Sequence, residues 1–292
     1  MDIAVFGNTY QSARADDLRS FFLSLGARVG VRLKFERSFR DYFFSIAGEM
    51  PIAGVISADS DFDADLVLSL GGDGTFLHTA EAVAPRQIPI MGINTGHLGY
   101  LSASSLSPSP GLVEDIVGGK YIVENRAMLK VSSSKSLPQS AGKHMALNEI
   151  VVERSDRASM LEACAFIDGR YLATYMGDGL IIATPTGSTA YNLSAGGPIL
   201  APNAPSWVLT PVAPHTLNMR PIVVDYNTEI RLKLKSRTGN YKLSIDGHCV
   251  TLPVDTEIIV SRAPFVTKLV RTPDHTFIDT LRTKLLWGMS PR

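Results

Sequence analysis

The stretch "LVLSLGGDGTFLHTA", residues 66–80, carries the clearest structural signal of the chain. Its apolar start predicts a buried β-strand, and the spacing of apolar residues after Asp73 predicts an α-helix. Gly71, Gly72 and Gly74 lie between the two, and glycine allows a sharp turn whose amide N–H groups no side chain covers. Because the start of a helix adds unpaired N–H groups and the positive end of its dipole, this turn predicts a phosphate-binding site.

Asp73 is an anion within a turn that suits anions. A role as helix N-cap would account for a single aspartate, but not for the three glycines around it. The turn lacks the Gly-Lys-Ser/Thr of P-loops and the Gly-x-Gly-x-x-Gly spacing of dinucleotide-binding folds. Two partners would suit a carboxylate in this turn. One is a divalent cation carried by nucleotide phosphates, and the other is a hydroxyl group that is to be phosphorylated. We expect Asp73 to orient such a hydroxyl and to accept its proton as general base.

The rest of the chain divides into two parts with different periodicity. Residues 1–125 alternate apolar strands with amphipathic helices, which predicts a doubly wound parallel sheet with helices on both faces. Residues 126–265 alternate with a period of two, and the Asp-Gly pairs at 168–169 and 246–247 predict hairpins in an antiparallel β-rich domain. Residues 266–292 turn helical again and are expected to return to the first domain. The predicted fold class is α/β plus all-β.

The composition excludes several classes of protein. Lys and Arg total 28 of the 292 residues and Asp and Glu also total 28, so no excess of positive charge indicates a nucleic-acid partner. No apolar run reaches the roughly 18 residues that a membrane span needs, and no basic segment precedes the first strand. We therefore expect a cytoplasmic protein. Cys164 and Cys249 lie in apolar β-like runs and are predicted to be buried free thiols.

Four further polar or glycine-bearing stretches accompany the glycine turn. They are "NTGHLGYL" (94–101), "LNEI" (147–150), "MGDGLIIATPTGSTAYNLSAGGPI" (176–199) and "SIDGH" (244–248). Together with the turn, these stretches resemble the NAD kinase family. The Gly-Gly-Asp-Gly-Thr turn alone also occurs in lipid kinases and 6-phosphofructokinases, whereas the segment 184–198, joined with Asn148 and Glu149, is far more specific.

The resemblance implies an activity and its ligands. NAD kinases transfer a phosphoryl group from ATP, or in some members from inorganic polyphosphate, to the 2′-hydroxyl of the adenosine ribose of NAD, which gives NADP. Residues 1–125 and 266–292 would form the α/β nucleotide-binding domain, and residues 126–265 the β-rich NAD-binding domain. The implied partners are NAD and ATP, with no nucleic acid and no membrane. Mg²⁺ is expected to enter with the nucleotide phosphates rather than on protein ligands, and a homodimer or homotetramer is expected.

The resemblance also assigns roles within the first domain. Asp73 faces the 2′-hydroxyl, Gly72 and Gly74 lie along the phosphates, and Tyr100 lines the adenine side of the pocket. His97 is predicted to be a structural turn residue, because no second His or Cys lies at metal-ligand spacing.

Further roles are implied within the second domain. Asn148 hydrogen-bonds the adenosine moiety, and Glu149 accepts from its ribose hydroxyls. Four residues hold an adenine ring, on which the tyrosine stacks: Thr189, Ala190, Tyr191 and Ser194.

One departure from the family bears on specificity. Asp178 is implied to reach the nicotinamide half of NAD, and members specific for oxidised NAD often carry a basic residue two positions earlier. This chain has Met176 there, also assigned to the NAD site, which leaves some use of NADH open.

Two functions other than NAD kinase also stay open at this point. One is a lipid or sugar kinase that shares the glycine turn, and the other is a non-catalytic sensor that binds NAD or NADP.

Overall fold

The computed structural model of the chain describes residues 1–96, 99–102, 104–105, 110–142, 144–156, 159–273 and 276–285. Within these residues the strands are β1 (Asp2–Gly7), β2 (Arg32–Glu36), β3 (Gly54–Ile56), β4 (Leu66–Leu70), β5 (Ile90–Asn94), β6 (Ser104–Ser105), β7 (Ile122–Ser133), β8 (Met145–Ala146), β9 (Glu149–Arg154), β10 (Leu161–Ile167), β11 (Arg170–Gly177), β12 (Gly179–Ala183), β13 (Ser206–Val212), β14 (Ile222–Asp225), β15 (Ile230–Lys235), β16 (Asn240–Ile245), β17 (His248–Pro253) and β18 (Ile258–Arg271). The α-helices are α1 (Ala15–Gly26), α2 (Arg37–Ala47), α3 (Asp73–Val83), α4 (Pro110–Val117), α5 (Tyr191–Ser194) and α6 (Phe277–Lys284).

The chain folds into two compact units. The first comprises Met1–Asn125 together with the chain from Thr267 onward, and the second comprises Arg126–Val266. The predicted return of the C-terminal segment to the first unit is therefore confirmed. No helix formed by the described residues is both long and apolar enough to cross a membrane.

The first unit contains a parallel sheet with the strand order β3-β2-β1-β4-β5. The C-terminal end of β18 extends this sheet beside β5, where Leu269 pairs with Ile90. The order reverses between β1 and β4, since β2 and β3 lie on one side of β1 and β4 and β5 on the other. Such a switch point leaves a crevice at the carboxyl ends of the two strands, which is where open α/β sheets bind ligands.

Helices cover both faces of this sheet, as the alternation of the sequence predicted. On one face, alternate residues of β1, β4 and β5 join an apolar core with aromatic residues of α1 and α2, among them Phe22, Phe39 and Phe43. On the opposite face α3 packs against β4, where the buried hydroxyls of Ser69 and Thr79 lie 2.9 Å apart. The prediction of a doubly wound α/β domain is confirmed.

The second unit contains two antiparallel sheets that share one core. One has the order β14-β13-β12-β9-β16-β17, and the other contains β11, β10, β15 and the first part of β18. Alternate residues of both sheets are buried in the same cluster, for example Ile150 and Val152 of β9 with Leu161 and Ala163 of β10. The predicted antiparallel β-rich domain is confirmed.

Both Asp-Gly pairs form the predicted hairpin turns. Asp168 and Gly169 have φ values of 48° and 77° between β10 and β11, and Asp246 and Gly247 have φ values of 45° and 91° between β16 and β17. Positive φ at both central residues is the signature of a type I′ turn, which aspartate tolerates and glycine favours.

The sequence "SASSLSPSPG" (102–111), rich in serine and proline, predicts an exposed loop, and this prediction is wrong, as is the predicted burial of both cysteines. Residues 102–111 do not form a simple exposed loop, because they contain β6 and the start of α4. Residues 103 and 106–109 of that stretch lie outside the described residues. Both cysteines are free, but Cys249 is exposed and Cys164 is half-buried. Cys249 lies on the edge strand β17, whose inward-facing positions are taken by Val250 and Leu252.

Candidate active site

The glycine turn follows β4 and opens α3. Its N-cap residue is Gly72, and no side chain caps the helix, so the role of N-cap considered for Asp73 is wrong. Gly71 has a φ of 151°, and a Cβ there would overlap the side chains of Thr75 and Asn8. At Gly72 and Gly74, by contrast, a Cβ would meet no other atom of the described residues within 4 Å beyond the adjacent chain, and neither residue has a positive φ. The packing of the described residues therefore does not require glycine at these two positions, and the bare backbone leaves room for a ligand to approach closely.

Asp73 is held by the turn that follows β5. Its Oδ2 accepts the Tyr100 N–H at 2.8 Å, and its Oδ1 accepts the Leu101 N–H at 3.1 Å. Gly99 touches the same carboxylate so closely that a Cβ there would overlap it. Since each carboxylate oxygen has two acceptor positions, each oxygen keeps one for a further donor. Asp73 is therefore oriented by the backbone and still able to receive a hydroxyl.

A lysine from the C-terminal helix approaches this carboxylate. The Lys284 ammonium lies 5.8 Å from the centre of the Tyr100 ring, whose backbone holds Asp73. Burial lowers the pKa of Lys284, and the negative charge of Asp73 opposes that effect. Burial also raises the pKa of Tyr100, and the charge of Asp73 adds to the rise. The first unit thus places a carboxylate, an aromatic ring and an ammonium beside the glycine turn.

In the second unit, the hairpin residue Asp246 holds the Asn148–Glu149 pair. Asp246 Oδ1 accepts the N–H groups of Asn148 and Glu149 at 2.9 and 3.0 Å, and its Oδ2 accepts the Leu147 N–H at 2.6 Å. Three consecutive amides therefore donate to one carboxylate. The backbone at the start of β9 is therefore fixed by Asp246, which follows Asn148 by 98 positions in the chain.

The carboxyl of Glu149 is partly desolvated. Burial raises its pKa to about 8, the negative charge of Asp246 contributes to the rise, and a hydrogen bond from the Tyr191 backbone opposes it. Its Oε2 is buried without a hydrogen-bond partner among the described residues. A buried carboxyl oxygen of this kind suits a ligand that brings its own hydroxyl groups.

The polar segment 184–198 is folded tightly against the same strand. Thr184 Oγ1 donates to the Leu147 carbonyl at 2.5 Å and accepts the Gly187 N–H at 3.0 Å. A Cβ on Gly187 would overlap the Asn148 carbonyl. The buried Asn192 donates to the carbonyls of Ser188 and Pro198 and accepts from Thr210. Ser188 Oγ donates to the Pro185 carbonyl at 2.7 Å and accepts the Leu200 N–H at 3.0 Å. The hydroxyls of Thr184 and Ser188 are therefore used in building the loop.

This loop presents the residues predicted to hold adenine. The Tyr191 side chain is 40% exposed, and its pKa is raised by burial and by the nearby charges of Glu153, Asp178 and Glu149. Thr189 and Ala190 come immediately before α5 and are half-buried, and Ser194 ends the helix with its side chain exposed. The Tyr191 ring is thus available on a rigid loop close to Glu149 and Asp178.

Asp178 and Met176 have different surroundings. Asp178 forms an ion pair with Arg154, whose Nη2 lies 3.1 Å from Oδ2. Met176 lines a cavity of about 380 Å³ whose other lining residues are Ser159, Met160, Glu162, Lys235, Ser236 and Arg237. None of the other predicted site residues lines this cavity.

His97, predicted to be a structural turn residue, lies outside the described residues. Among those residues, no group of three or more His, Cys, Asp or Glu side chains could hold a metal ion.

Comparison with known proteins supplies the family. The family model of the ATP-NAD kinase N-terminal domain matches residues 35–121, and that of the ATP-NAD kinase C-terminal domain matches residues 147–272. The NAD kinase of Bacteroides fragilis is 42% identical over 297 residues and is matched over the full length of both chains. The chain belongs to the NAD kinase family. The NAD kinase of Porphyromonas gingivalis is 40% identical over 291 residues, which cover 99% of each chain.

Two solved structures of NAD kinases and related enzymes have the same fold. Yeast NADH kinase complexed with NADH gives a TM-score of 0.87 at 25% identity and covers 100% of this chain and 89% of its own. An NAD kinase from Archaeoglobus fulgidus in complex with ATP gives a TM-score of 0.72 at 26% identity and covers 98% and 99% of the two chains. The prediction of an NAD kinase is confirmed, and none of these comparisons favours the lipid- or sugar-kinase alternative.

Sequence reasoning missed three residues that contact or approach predicted site residues of their own unit. Asp246 was interpreted only as a turn residue, although its carboxylate holds Asn148 and Glu149. Gly99 and Lys284 were not singled out, although one touches Asp73 and the other approaches Tyr100. The glycine could have been found from its position in the turn after β5, but the lysine carries no local signal.

Proposed function

We propose that the protein transfers the terminal phosphoryl group of ATP to the 2′-hydroxyl of the adenosine ribose of NAD, with Asp73 as general base. The observation that carries this proposal is the backbone-held carboxylate of Asp73 beside two glycines that the packing of the described residues does not require. In the transfer, a lone pair of the hydroxyl oxygen forms the new P–O bond while the bond to the leaving ADP breaks. The hydroxyl proton passes to the carboxylate.

The glycine turn and Lys284 would stabilise charge on the transferred group. Protein catalysis of phosphoryl transfer consists mainly of positioning and of charge stabilisation on the phosphoryl oxygens. The uncovered amides at the start of α3 can donate to these oxygens, and bare Gly72 and Gly74 allow the close approach. The Lys284 ammonium supplies a positive charge near the same carboxylate.

The second unit would hold the adenosine moiety of NAD. Asn148 offers an amide that can pair with a base edge, and the free Oε2 of Glu149 can bind a ribose hydroxyl. The exposed ring of Tyr191 can stack on adenine, beside Thr189, Ala190 and Ser194. Met176 and Asp178 are assigned to the nicotinamide half of the dinucleotide.

The residues of the first unit fit Mg²⁺ that arrives with the nucleotide. Mg²⁺ prefers oxygen ligands and commonly binds through one or two carboxylates plus substrate phosphates, and Asp73 is a carboxylate at the phosphate-binding turn. When bound, the ion would offset charge on the donor phosphates. The part of the chain described by the structure offers no three-residue acidic or His/Cys cluster that would hold it without the nucleotide.

The test is NADP formation by purified protein with NAD, ATP and Mg²⁺, followed with an NADP-dependent dehydrogenase; inorganic polyphosphate serves as a second donor. Asp73→Asn should lower kcat by about 100-fold or more, because general-base catalysis contributes at least that much, with NAD affinity nearly unchanged. Asp16→Asn, on an exposed aspartate of α1, is the control. Lys284→Met should also lower kcat, and Lys284→Arg should recover part of it.

Three outcomes of this test contradict the proposal. If wild-type protein binds NAD but forms no NADP, the sensor function is favoured. If Asp73→Asn weakens NAD binding as much as it lowers turnover, the carboxylate does not act as general base. If Lys284→Met leaves kcat unchanged, the lysine does not stabilise the transferred group.

A further inference from the structure

The loop after β1 lies at the switch point of the parallel sheet, next to the glycine turn. Residues 8–11 connect β1 to the start of the first helical segment, and β1 and β4 are neighbours in the sheet. The two loops that leave the carboxyl ends of these strands therefore border one crevice. One of the two is the glycine turn after β4, and the other is formed by residues 8–11.

Hydrogen bonds attach this loop to the glycine turn. Asn8 Nδ2 donates to Thr75 Oγ1 at 3.1 Å, and the Asn8 N–H donates to the Leu70 carbonyl at 3.2 Å. Gln11 is only 2% exposed and its Nε2 donates to the same carbonyl at 2.6 Å. The Gln11 Oε1 is buried without a hydrogen-bond partner among the described residues. The backbone of residues 8–11 is thus fixed against the strand and turn that would bind the donor phosphates.

Tyr10 is an aromatic residue of this loop, and its ring is exposed to solvent. Its side chain is 90% exposed, while its N–H donates to Asn8 Oδ1 at 3.1 Å. Nothing in the loop's own hydrogen bonding or burial calls for an aromatic ring at this position. An aromatic ring on a rigid loop beside a phosphate-binding turn is suited to stack on a nucleotide base.

We propose that Tyr10 is the stacking residue for the purine base of the phosphoryl donor. The proposal rests on the proposed function, since it assumes that the donor's phosphates occupy the glycine turn, and it adds the part of the site that would recognise the base. Stacking on an aromatic ring contributes about 1–3 kcal/mol per base and tolerates different bases. The loop should therefore favour nucleotides over base-free phosphate donors without discriminating strongly between ATP and GTP.

The experiment compares donors with and without a base. Tyr10→Ala should raise the KM for ATP and for GTP by about 5- to 30-fold, as expected for a loss at the lower end of the stacking range. The Ki of inorganic tripolyphosphate, used as an inhibitor competitive with ATP, and the KM for NAD should each change by less than about twofold. Tyr10→Phe should resemble wild type. Tyr171→Ala, which removes an exposed tyrosine from the second unit, is the matched control.

The possible results separate this inference from the proposed function. If wild-type protein forms no NADP, the proposed function is wrong, and the inference about Tyr10 falls with it because it assumes a phosphoryl donor. If wild-type protein is active and Tyr10→Ala leaves the KM for ATP unchanged, the stacking role is wrong. If the Ki of tripolyphosphate rises by the same factor as the KM for ATP, Tyr10 acts on the phosphate turn and the base-stacking role is also wrong.

Discussion

Replacing Asp246 by asparagine should separate NAD binding from turnover. Oδ1 of Asp246 accepts two backbone N–H groups and Oδ2 accepts a third, from Leu147, at 2.6 Å. Asparagine keeps one acceptor oxygen and turns an amide donor toward one or more of these N–H groups. Because a hydrogen bond to a charged group is worth about 1.5–3 kcal/mol and Asp246 is only half-buried, we expect a loss of about 1–3 kcal/mol in the free energy of unfolding.

The functional effect of Asp246→Asn should appear mainly in the KM for NAD. Asp246 holds the backbone of Leu147, Asn148 and Glu149, so a loss of about 1.4 kcal/mol in the positioning of this segment corresponds to an approximately tenfold higher KM. We expect kcat to change by less than about threefold, since Asp73 is untouched. The substitution also removes the charge that helps to raise the pKa of Glu149, so that pKa should fall.

The assay is NADP formation over a range of pH, from which kcat/KM for NAD is obtained. The pH at which kcat/KM is half-way through the change caused by titration of Glu149 should be lower in Asp246→Asn than in wild type. This holds whichever protonation state of Glu149 binds NAD. Asp168→Asn is the matched control, because Asp168 occupies the same position in the other Asp-Gly turn and its carboxylate accepts a single backbone N–H within the described part of the chain, that of Glu229. Asn-Gly suits both turns, so neither hairpin should be lost. Equal effects of the two substitutions on KM and on the pH midpoint would refute the positioning role.

Three further predictions concern predicted site residues, and one of their neighbours, in the two units. Glu149 has a pKa raised from 4.5 to about 8, so between these values the folded state holds a proton that the unfolded state lacks, and stability should fall as pH rises by up to about 1.4 kcal/mol per pH unit. Glu149→Gln should flatten this dependence in urea unfolding, and an unchanged slope would contradict it. Gly99→Ala should displace the Asp73 carboxylate and lower kcat, whereas Gly96→Ala, where a Cβ meets no atom of the described residues within 4 Å, should leave kcat unchanged; equal kcat values for the two variants would contradict this. Met176→Arg should lower kcat/KM for NADH relative to kcat/KM for NAD. If the ratio of these two values is the same in the variant and in wild type, residue 176 does not influence the choice between NADH and NAD.

Local chemistry explains why parts of this fold were predictable from the sequence. The Asp-Gly turns need positive φ at two neighbouring residues, and the identity of those residues alone indicates this. The glycine turn after β4 was equally visible, because an apolar strand, three glycines and a helix follow one another directly. Neighbouring parallel strands end at the same edge, so the turn after β5 could also be expected close to Asp73.

Contacts set by distant pairing could not be predicted in the same way. Asp246 reaches residues 147–149 only because β16 pairs with β9, and its sequence context already explained it as a turn residue. Lys284 lies on a short helix whose charged residues look like an ordinary solvated surface. The exposure of Cys249 depends on β17 being an edge strand, which the apolar residues around it do not indicate.

The return of the chain from Thr267 to the first unit has a consequence for biosynthesis. While a ribosome is still making residues up to Val266, part of the edge of β5 lacks the partner that Leu269 and Val270 later provide. Lys284 emerges later still. The first unit therefore cannot be completed during translation until the chain has been made through Val270, and the charge of Lys284 is added only after that. A product truncated before Thr267 should keep this part of the β5 edge unpaired and should lack Lys284.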